Sequence, residues 1–303
     1  MYHYAYKAYF EKVLSQSSAA KETHLRNDFF HPDTPSAMNA HKKDGGNEGY
    51  VKRSEFLKNS KILYFNISLA LDISGMAKPL PPNTVYSLKL SRNSDAFTLM
   101  SEQSLYKIDI TELYLEVLKL VPHDNLLSQI EKKFATNPLK YELTRSKILK
   151  FSIPRGVYDA SQIGLFDRGQ LPRFVLICLS TQNGLNGVVS ANPFNFQHYS
   201  ISEICLTKNN VPLPSTPFRP QWDKKNFTRL YRAFFDNLGF YHSACANGVT
   251  PEMFESGTFL LPWNLTPDRC NGFHKHAPES GSEISLRLYF SKETPEVLSL
   301  VSF

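Results

Sequence analysis

The chain has 303 residues, with 34 Lys or Arg and 28 Asp or Glu, and its formal net charge is +6. The basic residues are scattered instead of gathered in blocks, which does not fit a nucleic-acid-binding surface. No apolar run approaches the roughly 18 residues of a membrane-spanning helix, and the opening residues lack the order of a signal peptide. The 4 cysteines are widely spaced, which favours free thiols. These features predict a soluble protein of one or two units that is intracellular when made.

The first part of the chain combines one helical pattern, one loop and several strand-like runs. Residues 4–14 place four apolar side chains on one helical face, those of Tyr6, Phe10, Val13 and Leu14. Residues 31–53 are dense in Pro, Gly, Asn and charge without periodicity, which predicts a long loop. From Lys61 apolar and polar residues alternate, and strand-like runs recur at 84–90, 96–100 and 105–121.

The rest of the chain is dominated by strand-like runs, which lie at 139–153, 173–179, 196–207, 256–263, 283–290 and 296–302. Two helical patterns interrupt them. We expect Asp124 to cap the first pattern and Asp223 to cap the second, which ends at Gly239. Roughly ten strands with short helices in the connections predict an all-β protein, and the best fit is a β-sandwich of the jelly-roll type.

One group of residues has the side chains of a metal site. Two Cys and three His lie close together in the sequence, namely His242, Cys245, Cys270, His274 and His276. Thiolates and imidazoles are ligands that Zn²⁺ accepts, so a zinc site is one interpretation. Ordinary loop residues are the other, because the paired Cys-x-x-Cys and His-x-x-x-His spacings are missing. Nucleophile elbows, phosphate loops and dinucleotide motifs are also missing, so we predict no enzyme, no catalytic residue and no cofactor.

Eight segments, in order along the chain, carry a resemblance to a known family. They are YAYKAYFEKVL (4–14), GYVKRSEF (49–56), LKLSRNSDAFTLM (88–100), FSIPRG (151–156), GQLPRFVLI (169–177), NPFNFQHY (192–199), NLTPD (264–268) and SLRLYFSKETPEVLSLVSF (285–303). Together they resemble the major capsid protein of Polinton (Maverick) elements and adintoviruses, a hexon-like protein with two jelly rolls. The match spans nearly the whole chain, although PLPPNTV (79–85) and HKHAPESGS (274–282) depart from the family pattern.

The resemblance implies a fold and an assembly. Residues 1–102 would form the later part of a first jelly roll that is truncated at its N-terminus, and residues 103–303 would form the second jelly roll. A homotrimer would build pseudo-hexagonal capsomers that contact neighbouring capsomers and penton or minor capsid proteins in the virion. Packaged double-stranded DNA would be contacted only indirectly.

Subunit contacts would then involve large aromatic side chains. The candidates are Trp222, Trp263, Phe194 and His198. Burial in the chain's own core is the alternative for both tryptophans, and simple packing is the alternative for His198.

Two other functions stay open on the sequence alone. The chain is also compatible with a host-retained or decayed copy that serves as a non-enzymatic β-sandwich binding or scaffold protein, since one fold supports many functions. A metal-dependent cupin-like enzyme is the third possibility, and it would need Cys270, His274 and His276 as ligands.

Overall fold

The described residues contain ten β-strands, and all ten strands follow residue 148. This computed structural model describes residues 3–74, 76, 78–81, 84–102, 105–141, 143, 145–161, 163–166, 171–266 and 282–303. The strands are β1 (Leu149–Ile153), β2 (Ile163–Phe166), β3 (Phe174–Thr181), β4 (Phe196–Gln197), β5 (Ile201–Lys208), β6 (Val211–Phe218), β7 (Ser256–Gly257), β8 (Leu260–Asn264), β9 (Ile284–Phe290) and β10 (Leu298–Ser302).

Eight of these strands form two four-stranded antiparallel sheets. The first sheet has the order β1-β10-β3-β8 and the second has the order β2-β9-β5-β6, while β4 and β7 form a separate pair. Four pairings are nested along the chain: β1 with β10, β2 with β9, β3 with β8, and β5 with β6. Antiparallel sheets joined by short helices are consistent with the predicted β-sandwich.

The apolar faces of both sheets contribute to one hydrophobic core. In β9 the burial alternates along the strand, with four buried side chains at Ile284, Leu286, Leu288 and Phe290. This period of two is the one that the sequence predicts. By contrast, β3 is buried at six consecutive positions, 175–180, so both of its faces are covered. The prediction of a core strand at 173–179 is confirmed.

An N-terminal helix packs against this core. The helix α1 (His3–Phe10) continues into one π-helical turn, Glu11–Ser15. The predicted apolar stripe is buried and belongs to the same cluster as the strands. The ring of Phe10 lies 5.6 Å from that of Phe303, which directly follows β10. The helix predicted at 4–14 is therefore confirmed, and it covers the sheet that contains β3.

The other helices of the described residues are α2 (Ser18–Glu22), α3 (Glu48–Leu57), α4 (Asp95–Thr98), α5 (Asp124–Thr136), α6 (Gln182–Asn186), α7 (Thr228–Leu238) and α8 (Pro251–Glu255). Gly239 ends α7 as predicted, in a left-handed conformation with φ of 76°. The two predicted N-caps are wrong. Asp124 is the first residue of α5 and His123 is its N-cap. Asp223 lies in a short 3₁₀ turn, because Lys225, with φ of 53°, interrupts the helical backbone before α7 begins.

The loop predicted at 31–53 is wrong in its last part, where α3 begins at Glu48. The side chain of Asn47 accepts a hydrogen bond from the Tyr50 N–H and so caps the helix. In the sequence Gly49 looks like a loop residue. It lies in α3, at a position that leaves no space for a side chain. A Cβ at this position would lie 2.2 Å from the carbonyl oxygen of Pro32.

The strands predicted between Lys61 and 121 are also wrong for the described residues, because the first strand begins at Leu149. Residues 95–98 form α4 instead. Alternating side chains define the two faces of a strand, but a strand also needs a hydrogen-bonding neighbour. The structure also contains two strands, β2 and β6, that the predicted strand runs do not include. Proline is tolerated in β6 because it is an edge strand. The division at residues 102 and 103 stays a prediction.

Candidate functional site

His198 and Trp222, two of the predicted contact residues, stack on each other beside β5. Their ring centroids lie 3.7 Å apart with an interplanar angle of 8°. The indole Nε1 donates a hydrogen bond of 2.7 Å to the Ile201 carbonyl oxygen. Phe227 stacks on the indole at 5.2 Å. With a 9% exposed fraction, Trp222 is a core residue, and its part in subunit contacts stays a prediction.

The imidazole of His198 is held neutral in this stack. The backbone N–H of Ser200 donates to its Nδ1 at 2.9 Å, so the neutral ring carries its proton on Nε2. Burial lowers the pKa of His198 from 6.5 to about 4, and the carboxylates of Glu255 and Asp223 oppose this effect only in part. Protonation would place a charge in an aromatic cluster, which makes the stack sensitive to acid.

Phe194 and Trp263 also pack within the chain. Phe194 stacks on Tyr9, with centroids 4.4 Å apart, and contacts the ring of Tyr6 edge-on. Trp263 lies in β8 opposite Val175 and is 5% exposed. Its indole N–H has no hydrogen-bond partner among the described residues. Both side chains therefore contribute to the core, and a role in contacts between subunits stays a prediction for them too.

The zinc interpretation rests mostly on residues outside the described part of the chain. Cys245 is exposed and has a free thiol, whereas Cys270, His274 and His276 lie outside the described residues. Within the described ranges no group of three or more Cys, His, Asp or Glu side chains is arranged to hold a metal ion.

A shallow groove of about 490 Å³ follows the outer face of α7. Its lining consists of Thr228, Arg229, Tyr231, Arg232, Phe235 and Tyr241. The guanidinium of Arg232 lies 4.4 Å from the centre of the Tyr241 ring. Cationic and aromatic side chains in a groove are typical of protein contact surfaces.

The most unusual surface is the stretch of residues 105–121, which we call the exposed segment. Ten large apolar side chains in it are exposed, namely Leu105, Tyr106, Ile110, Leu113, Tyr114, Leu115, Val117, Leu118, Leu120 and Val121. Leu118 is 87% exposed. At roughly 100 Å² of apolar surface each, these side chains present about 1,000 Å², which matches one side of a standard protein interface. Exposed apolar surfaces of this size are typical of sites where another protein binds.

The backbone of the exposed segment forms few hydrogen bonds with the rest of the described chain. Ile108 donates its N–H to the Asp95 carboxylate at 3.1 Å. Beyond it, no backbone hydrogen bond connects residues 109–121 to another described residue. The sequence of this segment has the alternation of a strand, but the segment pairs with no strand of the described sheets. One feature of the sequence sets this segment apart from the other strand patterns: apolar residues occur on both of its faces.

The four sheet edges differ in how well they are protected against further pairing. Three prolines interrupt the edge strand β6, Pro262 interrupts β8, and β2 has four residues and a register shift. The remaining edge strand, β1, contains neither Pro nor Gly and pairs along its whole length with β10. We therefore regard β1 as the most open edge of the two sheets.

Comparisons with known proteins found a distant relative. The chain is 24% identical to the uncharacterized protein F54H12.2 of Caenorhabditis elegans, over 97% of this chain and 68% of that protein. No protein-family model matches the chain, and no solved structure matches it significantly. Among the described residues, no helix combines the length and the apolar character that crossing a membrane requires.

Proposed function

We propose that this chain is a structural major capsid protein of a Polinton-like virus or integrated element. In this proposal it is a non-enzymatic subunit that forms homotrimers, builds pseudo-hexagonal capsomers and is located in the virion. The single observation that carries the proposal is the nested order of strand pairing.

Nested pairing is the order expected of a jelly roll. Pairing the first strand with the last, the second with the next to last, and so on inwards describes one long hairpin. When this hairpin is wrapped so that successive pairs fall alternately in two sheets, eight strands form a double-sheet jelly roll. We infer that β1, β2, β3, β5, β6, β8, β9 and β10 are these eight strands and make up the second jelly roll of the resemblance.

The exposed segment gives independent support for assembly. Its apolar area is of the size that stable interfaces bury, and it lies outside the jelly-roll strands. Shell proteins work through large contact areas between identical copies, and closed symmetry limits the size of their assemblies.

Electron microscopy of the purified full chain tests this proposal. We expect three-lobed particles of pseudo-hexagonal outline, and on concentration we expect larger arrays or closed shells. Uniform particles of single-chain size under all assembly conditions would overturn it.

A second candidate is a host-retained copy that acts as a non-enzymatic β-sandwich binding or scaffold protein. Two observations favour it: a relative that aligns with 97% of the chain occurs in an animal, and the groove on α7 offers a cationic and aromatic surface. The neighbouring genes separate the candidates. Polymerase, packaging ATPase and integrase genes beside the coding sequence favour the capsid protein, and ordinary host genes favour reuse.

A further inference from the structure

Two features of the described chain lack a neighbour and fit each other. The exposed segment has the pattern of a strand but no sheet, and β1 is the open edge of a sheet that ends there. An open edge and an unpaired strand combine by backbone hydrogen bonding, which is the general mechanism of strand addition.

The charges of the two features are complementary. Residues 109–118, DITELYLEVL, contain three acids and no base; Lys107 and Lys119 flank this stretch, and Asp109 already pairs with Lys107 at 3.1 Å. Residues 145–155, RSKILKFSIPR, around β1 contain four bases and no acid. Arg145, Lys147 and Arg155 are exposed and form no ion pair with another described residue. Opposite charges on neighbouring strands stabilise their pairing and select the partner.

The faces of the two strands match as well. In β1, Phe151 and Ile153 lie on one face and contact the hydrophobic core, whereas Lys150 lies on the other face, where its ammonium is 5.8 Å from the buried ring of Tyr6 in the N-terminal helix. In the exposed segment, the odd-numbered positions 113, 115 and 117 are all apolar, whereas the even-numbered face is mixed and carries Glu112 and Glu116 beside Tyr114 and Leu118. An antiparallel register with Glu116 opposite Lys150 therefore also sets the apolar positions opposite the core face of β1.

This agreement depends on the register. Moving the segment by one residue would place Leu113, Leu115 and Val117 on the face of Lys150, and it would turn Glu112 and Glu116 toward the face of Phe151 and Ile153. Burial already lowers the pKa of Lys150, and a carboxylate next to it would favour its charged form.

We propose that the exposed segment of one copy adds as an antiparallel strand to the β1 edge of a second copy. The occupant is a second copy, because the acidic stretch at 109–118 and the basic edge at 145–155 attract each other and every copy presents both. Each subunit then donates a strand to one neighbour and accepts a strand from another. Head-to-tail contacts form a ring when the rotation between successive subunits closes. A ring of three suits the proposed homotrimer, and the inference rests on that proposed function.

Mixed disulfide trapping tests the contact directly. In this register Tyr114 and Ser152, both exposed, lie opposite each other at a distance that a disulfide can bridge. Tyr114→Cys and Ser152→Cys are prepared as separate chains, each also carrying Cys245→Ser and Cys270→Ser. When the two chains are mixed and mildly oxidised, any bond between the new cysteines must join two copies.

The matched control is Leu113→Cys mixed with Ser152→Cys, because position 113 lies on the opposite face of the segment. We expect the Tyr114→Cys mixture to form the cross-linked dimer at least about tenfold faster than the control, since disulfide formation requires close Cβ atoms. Equal rates, or a faster control, would overturn the proposed register and contact.

A second measurement separates this inference from the proposed function. Leu115→Asp puts a charge on the core side of the added strand, and Val85→Asp makes the same kind of change at a side chain that is 93% exposed outside the segment. We expect Leu115→Asp to weaken self-association at least about tenfold and Val85→Asp to leave it unchanged. If the Leu115→Asp chain assembles like the unmodified chain, strand addition is wrong while the capsid proposal stands. If the unmodified chain does not associate at all, both fail.

Discussion

Replacing His198 with Phe should remove the part of the fold's acid sensitivity that this histidine causes. The folded chain holds the His198 pKa at about 4, against an ordinary value of 6.5. Between these values the unfolded chain binds a proton that the folded chain does not, so the free energy of unfolding decreases as the pH decreases. Linkage of the two pKa values gives a loss of about 2.5 kcal/mol between pH 7.5 and pH 4.5. Phe keeps an aromatic ring against Trp222 and cannot titrate.

Urea unfolding followed by tryptophan fluorescence measures this difference. At pH 7.5 we expect the Phe variant to be less stable than the unmodified chain by about 1 kcal/mol, because the Ser200 N–H loses its acceptor. From pH 7.5 to pH 4.5 the variant should lose about 2.5 kcal/mol less than the unmodified chain. His123→Phe, at an exposed position, is the control and should keep the full loss. If the free energy of unfolding decreases equally in the unmodified chain and in the His198 variant, His198 is not held neutral by burial.

Three further predictions concern packing and metal content. Trp222→Ala removes a buried indole and its hydrogen bond to Ile201. We expect this change to lower the free energy of unfolding by about 3–5 kcal/mol in urea titrations. A loss under about 1 kcal/mol would contradict the burial of Trp222. Gly49→Ala should destabilise the chain by about 1–3 kcal/mol because of the contact with the Pro32 carbonyl. Gly164→Ala, with no atom within 4 Å of its Cβ, is the control and should shift the melting temperature much less. Metal analysis of the purified chain should find no stoichiometric zinc or iron, and one tightly held ion per chain would favour the cupin-like alternative.

The sequence predicts strands well where neighbours in the same chain complete them. EISLRLYF alternates strictly, and it becomes β9 because β2 and β5 flank it on both sides. LYLEVLKLV, within the exposed segment, has an equally strong β pattern but forms no strand. The difference lies in non-local pairing, which a local pattern does not contain.

The same limit applies to the candidate site. The contact between His198 and Trp222 joins residues 24 positions apart along the chain (222 − 198 = 24), and nothing in their spacing predicts it. The left-handed residues Tyr199 and Ser200, with φ of 44° and 56°, break the predicted strand at 196–207 and bring the imidazole onto the indole. Neither Tyr nor Ser predicts a left-handed conformation, because non-glycine residues seldom adopt it.

We propose that this chain works by associating with copies of itself. Sedimentation analysis of the purified full chain over a wide concentration range tests the claim most directly. We expect a stable species with three times the mass of one chain, and we expect it to dissociate when Leu115 is changed to Asp. A single species with the mass of one chain, even at the highest concentration, would contradict it.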